Sequence, residues 1–160
     1  IDNTNRKDEA FYINTDVTYT FTGSAVTGTY GTATAININD ITWTQEEIDA
    51  DPSDAPEGAT TSTVKNEGLK NKYKKQFNAQ AAGLLAKTDW YVIKAADVTD
   101  YNVPSNIATY RAAVRTKVNA METSIDNCSD VDALITLLTY TTDSEGVTSR
   151  PLGEFPDEVV

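Results

Sequence analysis

Histidine is missing from this 160-residue sequence, and cysteine, methionine and tryptophan occur once, once and twice. Without histidine there is no imidazole base working near neutral pH and no Ser-His or Cys-His nucleophile pair. The commonest zinc ligand is lost as well. The single cysteine, Cys128, allows no internal disulfide and no cysteine metal cage. Carboxylate or lysine chemistry would have to carry any reaction, so the expectation is a protein that is not an enzyme and uses no cofactor or metal. No apolar run approaches the roughly 20 residues of a membrane-crossing helix. No Walker loop and no Gly-x-Gly-x-x-Gly run occurs. The sequence opens on Ile1 without an initiator Met and shows no signal peptide, a segment that leaves no trace once removed.

Positive charge is also short overall, with 13 basic against 24 acidic residues and a net charge of −11. Phosphate would be repelled over most of such a surface, so neither nucleic acid nor a membrane is expected as a partner. The deficit is uneven. Residues 1–68 hold 3 basic and 12 acidic side chains, residues 69–117 hold 9 and 3, and residues 118–160 hold 1 and 9. A basic middle between acidic flanks suits segments that dock on one another or on neighbouring subunits. Lys70, Lys72, Lys74 and Lys75 also fit the plainer role of solvating one helix face.

What is present is a change of pattern along the chain. After a polar arm, "IDNTNRKDEAFY", Val17, Tyr19 and Phe21 alternate with threonines, the period of a half-buried strand. Gly23-Ser24 supplies a turn. A second strand, "AVTGTYGTATAINI", carries Gly28 and Gly31, which mark a bulge or a close backbone approach. A third, "INDITW", ends at Trp43, giving a three-strand meander. Thr44 and Glu47 have the spacing of a capping box opening a short helix that Asp51-Pro52 would stop. Residues 51–68, with two prolines and two glycines, read as a linker.

Beyond the linker the period becomes helical. Leu69, Tyr73, Phe77, Ala81 and Leu84 form one stripe on a helix ending near Lys87. Val103-Pro104-Ser105-Asn106 supplies a stop and a new cap, followed by Ile107, Tyr110, Val114, Val118, Met121 and Ile125 at steps of three or four. Ser129-Asp130 caps a third helix with Val131, Leu134, Ile135 and Leu138 facing inward. The fold class expected is α+β. A small N-terminal antiparallel β-sheet (an arm and β module over residues 1–50) precedes a C-terminal three-helix module with an extended tail (residues 69–160).

Candidate sites weigh little against structural roles. Asp49, Asp51, Asp54 and Glu57 cluster, but counting from Asp49 the sixth place is Asp54 and the twelfth Thr60, where an EF-hand loop needs Gly and Glu. They read as a solvated acidic linker. Cys128 reads as a small residue at a helix corner. Trp90, in "LLAKTDWYVIKAADV", follows a helix break at Thr88-Asp89. Burying its indole would remove about 150–250 Å² from water, roughly 4–6 kcal/mol gross, so it is expected to anchor that corner.

"LLAKTDW" (Leu84 to Trp90), "YRAAVR" (Tyr110 to Arg115) and "RPLGEFP" (Arg150 to Pro156) together resemble small tail proteins of tailed bacteriophages, especially structural proteins of marine and cyanobacterial phages. The part from Leu69 to Pro156 is also similar to the C-terminal part of phage tail-fibre assembly proteins. The resemblance implies a role in the virion or in tail assembly, in a protein made in the host cytoplasm and built into the tail region. It places Trp90, Tyr110 and Arg111 at one structural corner, with Asp89 the nearest carboxylate for Arg111. The expected function is that of a non-enzymatic structural component of the tail, baseplate or fibre-attachment region. Its partners would be other virion proteins and copies of itself, met through Tyr19, Tyr30, Trp43 and Phe155. A tail-fibre assembly chaperone and a carbohydrate-binding surface module are the alternatives.

Overall fold

A computed structural model describes residues 2–50 and 54–159; the helix stop assigned to Asp51-Pro52 lies outside the described residues. The chain is an α+β protein that divides into two compact units, residues 1–69 and 70–160.

Among the described residues of the first unit the strands pair in twos, with one isolated bridge from Asp2 to Thr29. Strand β1 (Tyr12–Ile13) pairs antiparallel with β4 (Thr34–Ala35), and β2 (Val17–Phe21) pairs with β3 (Val26–Tyr30). Strand β5 (Ile41–Thr42) pairs with β6 (Val64–Asn66), beyond the short helix α1 (Gln45–Ala50). The expected meander is therefore corrected to one hairpin and two separate ladders. The long second strand breaks after Tyr30, where the Gly31 N–H donates to Thr15 Oγ1 at 2.6 Å. Its continuation turns to the N-terminal arm, with Ile36 N–H donating to the Phe11 carbonyl at 2.9 Å. The third strand takes its partner from the stretch read as a linker, whose last residues form β6. At α1 the capping box closes in both directions, Glu47 N–H to Thr44 Oγ1 at 3.2 Å and Thr44 N–H to Glu47 Oε2 at 3.0 Å. Buried hydrophobic residues in this unit are few: Phe11, Tyr12 and Leu69 among those described.

The second unit holds four helices rather than three: α2 (Leu69–Ala86), α3 (Asp89–Asp97), α4 (Ser105–Asp126) and α5 (Val131–Leu138). A small hairpin follows, β7 (Thr141–Thr142) with β8 (Thr148–Ser149). The apolar stripe of α4 is buried along its whole length, from Ile107 through Tyr110, Val114, Val118 and Met121 to Ile125. Phe77 and Ala81 of α2, and Val131 and Leu134 of α5, complete the core with Cys128 and Leu152. Asp130 caps α5 by accepting from Ala133 N–H at 2.8 Å. The cap expected at the start of α4 differs: Pro104 is the N-cap, so no side chain caps it and Ser105 is already helical. Helices α2 and α4 run antiparallel. Lys74 pairs with Asp126 at 2.8 Å, Asn78 donates to Glu122 at 2.5 Å, and Lys70 donates to the Asp126 carbonyl at the negative end of α4. Two of the four lysines thus hold a helix pair together.

The corner between α2 and α3 is built differently from expectation. Trp90 is 54% exposed, so it is not the anchor. Arg111 is. Its Nη1 donates to the Leu85 carbonyl at 2.8 Å and to Thr88 Oγ1 at 2.7 Å, and its Nη2 meets Asp89 at 2.8 Å. Arg111 is buried, and the several donors of its planar guanidinium tie Leu85, in the last turn of α2, and Thr88 to Asp89 at the start of α3. Trp90 lies outside that network, tilted against Tyr91 with ring centroids 5.0 Å apart, and Lys94 sits 5.1 Å from its ring. Tyr110 is buried beside the corner, and its hydroxyl has no hydrogen-bond partner in the structure. Burial raises the pKa of that phenol.

The tail motif "RPLGEFP" forms a clasp. The Arg150 guanidinium lies 4.8 Å from the Tyr140 ring and 5.3 Å from the Phe77 ring, and it binds Glu154 through Nε and Nη2 at 2.7 and 3.0 Å. Tyr140 donates to the same carboxylate at 2.7 Å, and the buried Leu152 anchors the strap through its N–H to the Leu137 carbonyl. Burial alone would raise the Glu154 pKa; the bonds from Tyr140 and Arg150 outweigh it and hold the carboxyl below its usual value.

Candidate functional site

The β2–β3 hairpin carries the most unusual surface of the first unit. Gly23, at φ +85°, takes the first central position of a two-residue turn, which suits the twist of an antiparallel pair. Residues directly opposite share a face. The register Val17↔Tyr30, Tyr19↔Gly28 and Phe21↔Val26 therefore gathers every large apolar side chain of both strands on one face. The pairs Thr18↔Thr29 and Thr20↔Thr27 leave the other face to threonine. The alternation marks a half-buried strand, yet only Val17 and Tyr30, at the end away from the turn, are half-buried, and the other apolar side chains of that face are exposed. Tyr19 is 63% exposed, Phe21 70% and Val26 66%. Gly28 gives its cross-strand neighbours room: a Cβ there would stand 2.8 Å from Val17 Cγ1 and 2.9 Å from Tyr19 Cε1, and those side chains would have to shift.

The two edges of the hairpin are unequal. Thr22 N–H donates to the Ala25 carbonyl at 3.0 Å, so the ladder bonds fall on the pairs 22/25, 20/27 and 18/29. The backbone groups of Val17, Tyr19 and Phe21 on β2, and of Val26, Gly28 and Tyr30 on β3, point outward. On β3 the arm meets them: Asp2 N–H donates to the Gly28 carbonyl at 2.7 Å and Asn5 Nδ2 to the Tyr30 carbonyl at 3.0 Å. Among the described residues nothing pairs with the outward edge of β2. From Val17 to Asn39 there is no charged residue in a chain of net charge −11.

Of the four residues expected at a partner surface, Tyr19 and Tyr30 lie on this apolar face. Trp43 does not. It is half-buried near the helix α1, with Lys65 Nζ 4.6 Å from its ring, beside a cavity of about 440 Å³ also lined by Glu47, Ala50 and Asp54. Lys65 also bonds Glu47 at 2.6 Å and, with the Thr44 bonds, draws the Glu47 pKa down to about 2. Phe155 belongs to the second unit and is half-buried in the tail clasp. Sequence reasoning missed Phe21, which the alternation turned inward, and Val26; the signal that could have found them is the uncharged run. It also missed a second exposed apolar surface on α3. None of that helix is buried, and Trp90, Val92 and Ile93 are 54, 42 and 67% exposed.

Chemically, these surfaces offer apolar contact and backbone hydrogen bonding. Among the described residues no group of three or more potential metal ligands is gathered, and burial raises the thiol pKa of Cys128. No helix among the described residues is long and apolar enough to cross a membrane. No protein-family model matches the sequence, and no curated protein or solved structure matches it either.

Proposed function

We propose that this chain is a non-enzymatic structural component of a bacteriophage particle, placed in the tail, baseplate or fibre-attachment region and acting through protein–protein contacts. The observation that supports the reading best is the β2–β3 hairpin, with a largely uncovered apolar face and an open, uncharged edge. An exposed edge of this kind is a template for adding a strand from another chain. Natural proteins normally blunt such an edge with charge, proline or a covering segment; here a segment meets β3 at Gly28 and Tyr30, and none among the described residues meets β2. The three fragments that resemble phage tail proteins fall on the α2–α3 corner, the start of α4 and the tail clasp, and supply the link to a virion.

Mass spectrometry of purified particles, with copy number, tests this reading. A defined stoichiometry in mature particles is expected. Absence from mature particles, with presence in assembly intermediates, would overturn it in favour of a tail-fibre assembly chaperone. Glycan-array binding lost on Trp43→Ala or Tyr30→Ala would instead favour a carbohydrate-binding module.

A further inference from the structure

We infer that the open edge of β2 is a self-association edge, pairing antiparallel with β2 of a second copy about a two-fold axis through Tyr19. The inference rests on the reading of this hairpin as a contact surface and names the occupant. It starts from the pattern of the strand, Val-Thr-Tyr-Thr-Phe, which is the same read in either direction at the level of residue type. A two-fold antiparallel pairing centred on Tyr19 sets Val17 against Phe21 of the second copy and Tyr19 against Tyr19. It also sets Thr18 against Thr20, so apolar meets apolar and threonine meets threonine throughout. One residue further out, Asp16 faces Thr22, so no like charges oppose one another. A heterologous strand would have to be matched to this pattern; a second copy is matched already.

Hydrogen-bond phase agrees with this register. The groups pointing away from β3 belong to Val17, Tyr19 and Phe21, and these are the residues that the two-fold pairing sets opposite each other. Each such pair can exchange both N–H···O bonds. A shift of one residue would point inward groups at outward ones and put threonine against the aromatic face. A shift of two keeps the phase but leaves one of the three outward residues without a strand partner, so the pairing centred on Tyr19 is the one that uses all three. Charge points the same way. Two copies at −11 repel over most of their surfaces, and the run from Val17 to Asn39 offers an approach free of that repulsion. Finally, an isolated two-stranded hairpin is marginal in water, whereas four strands sharing an apolar face are not. The arm occupies the β3 edge at Gly28 and Tyr30, so growth on that side is obstructed and the open edge of β2 favours closure at two copies over a fibre.

The test combines sedimentation equilibrium with directed cross-linking on the whole chain. The wild-type protein should show a monomer–dimer equilibrium, and Tyr19→Lys, which puts like charges face to face on the axis, should lower the association constant by about tenfold or more. Thr27→Lys makes the same charge change on β3 and should leave association unchanged. With Cys128→Ala as background, Tyr19→Cys should oxidise to a disulfide-linked dimer. The expected Cα separation in a hydrogen-bonded pair is about 5.5 Å, within disulfide reach. Val26→Cys, as exposed but on β3, should not. A protein that stays monomeric, or a dimer indifferent to Tyr19→Lys, would overturn the inference. Neither result touches the virion reading, which stands or falls on the composition of particles.

Discussion

The two units bury their apolar residues to very different degrees. In the second, the stripe of α4 is covered from end to end, and side chains from α2, α5 and the tail close over it. In the first, a handful of residues around Phe11, Tyr12 and Leu69 are buried while most of the apolar face of the hairpin stands in water. The helices α2, α4 and α5 bury a face on one another. A two-stranded hairpin has no second layer of its own and needs one from elsewhere. Apart from α3, the second unit is therefore closed by its own side chains, whereas the first leaves most of the apolar face of its hairpin exposed.

Substitutions can break or sharpen that contrast. The largest effect is expected for Phe77→Ala, 2% exposed in the helical core, which should lower unfolding free energy by about 3–5 kcal/mol in chemical denaturation. Arg111→Ala should follow at about 2–3 kcal/mol, since it strips donors from Leu85, Thr88 and Asp89 together. Trp90→Ala, the neighbour that the sequence marked as the anchor, should stay within about 1 kcal/mol in the same assay. A Trp90 effect larger than that of Arg111 would reverse the account of the corner. Tyr19→Ala should barely change the stability of dilute protein, because most of that side chain is already solvated. The smallest effect concerns pH. The Glu47 carboxyl is held near 2, below its usual 4.5, so its favourable contacts are present above 4.5 and are lost only as pH falls through about 2. Carbon-detected NMR titration should find that midpoint, and Lys65→Met should move it back toward 4.5.

How legible these features were in the sequence follows the range of the interactions behind them. The α4 stripe, the α5 cap at Asp130 and the Thr44–Glu47 box could be read because each depends on residues within a turn or two. The α+β class was readable from the change of period at the linker. Strand partners were not, because Tyr12 finds Ala35 and Thr42 finds Val64 across long intervals that carry no local pattern. Helix α3 escaped notice because Thr88 makes no side-chain cap and the helix has no buried stripe. Trp90 misled because the burial of an indole depends on what packs against it from elsewhere in the chain; the buried group at this corner is Arg111, which comes from another helix. At the candidate site, Tyr19 and Tyr30 could be picked out as aromatic strand residues. The side they face could not, since alternation defines two faces without saying which one is covered.

The central claim is that the outward edge of β2 is where this protein meets its partner, and amide hydrogen exchange tests it most directly. In dilute protein the Val17, Tyr19 and Phe21 amides should exchange fast while those of Thr18 and Thr20, bonded toward β3, are slower. In concentrated or particle-assembled protein, protection should appear at Val17, Tyr19 and Phe21. Unchanged exchange at those three amides in both states would contradict the claim.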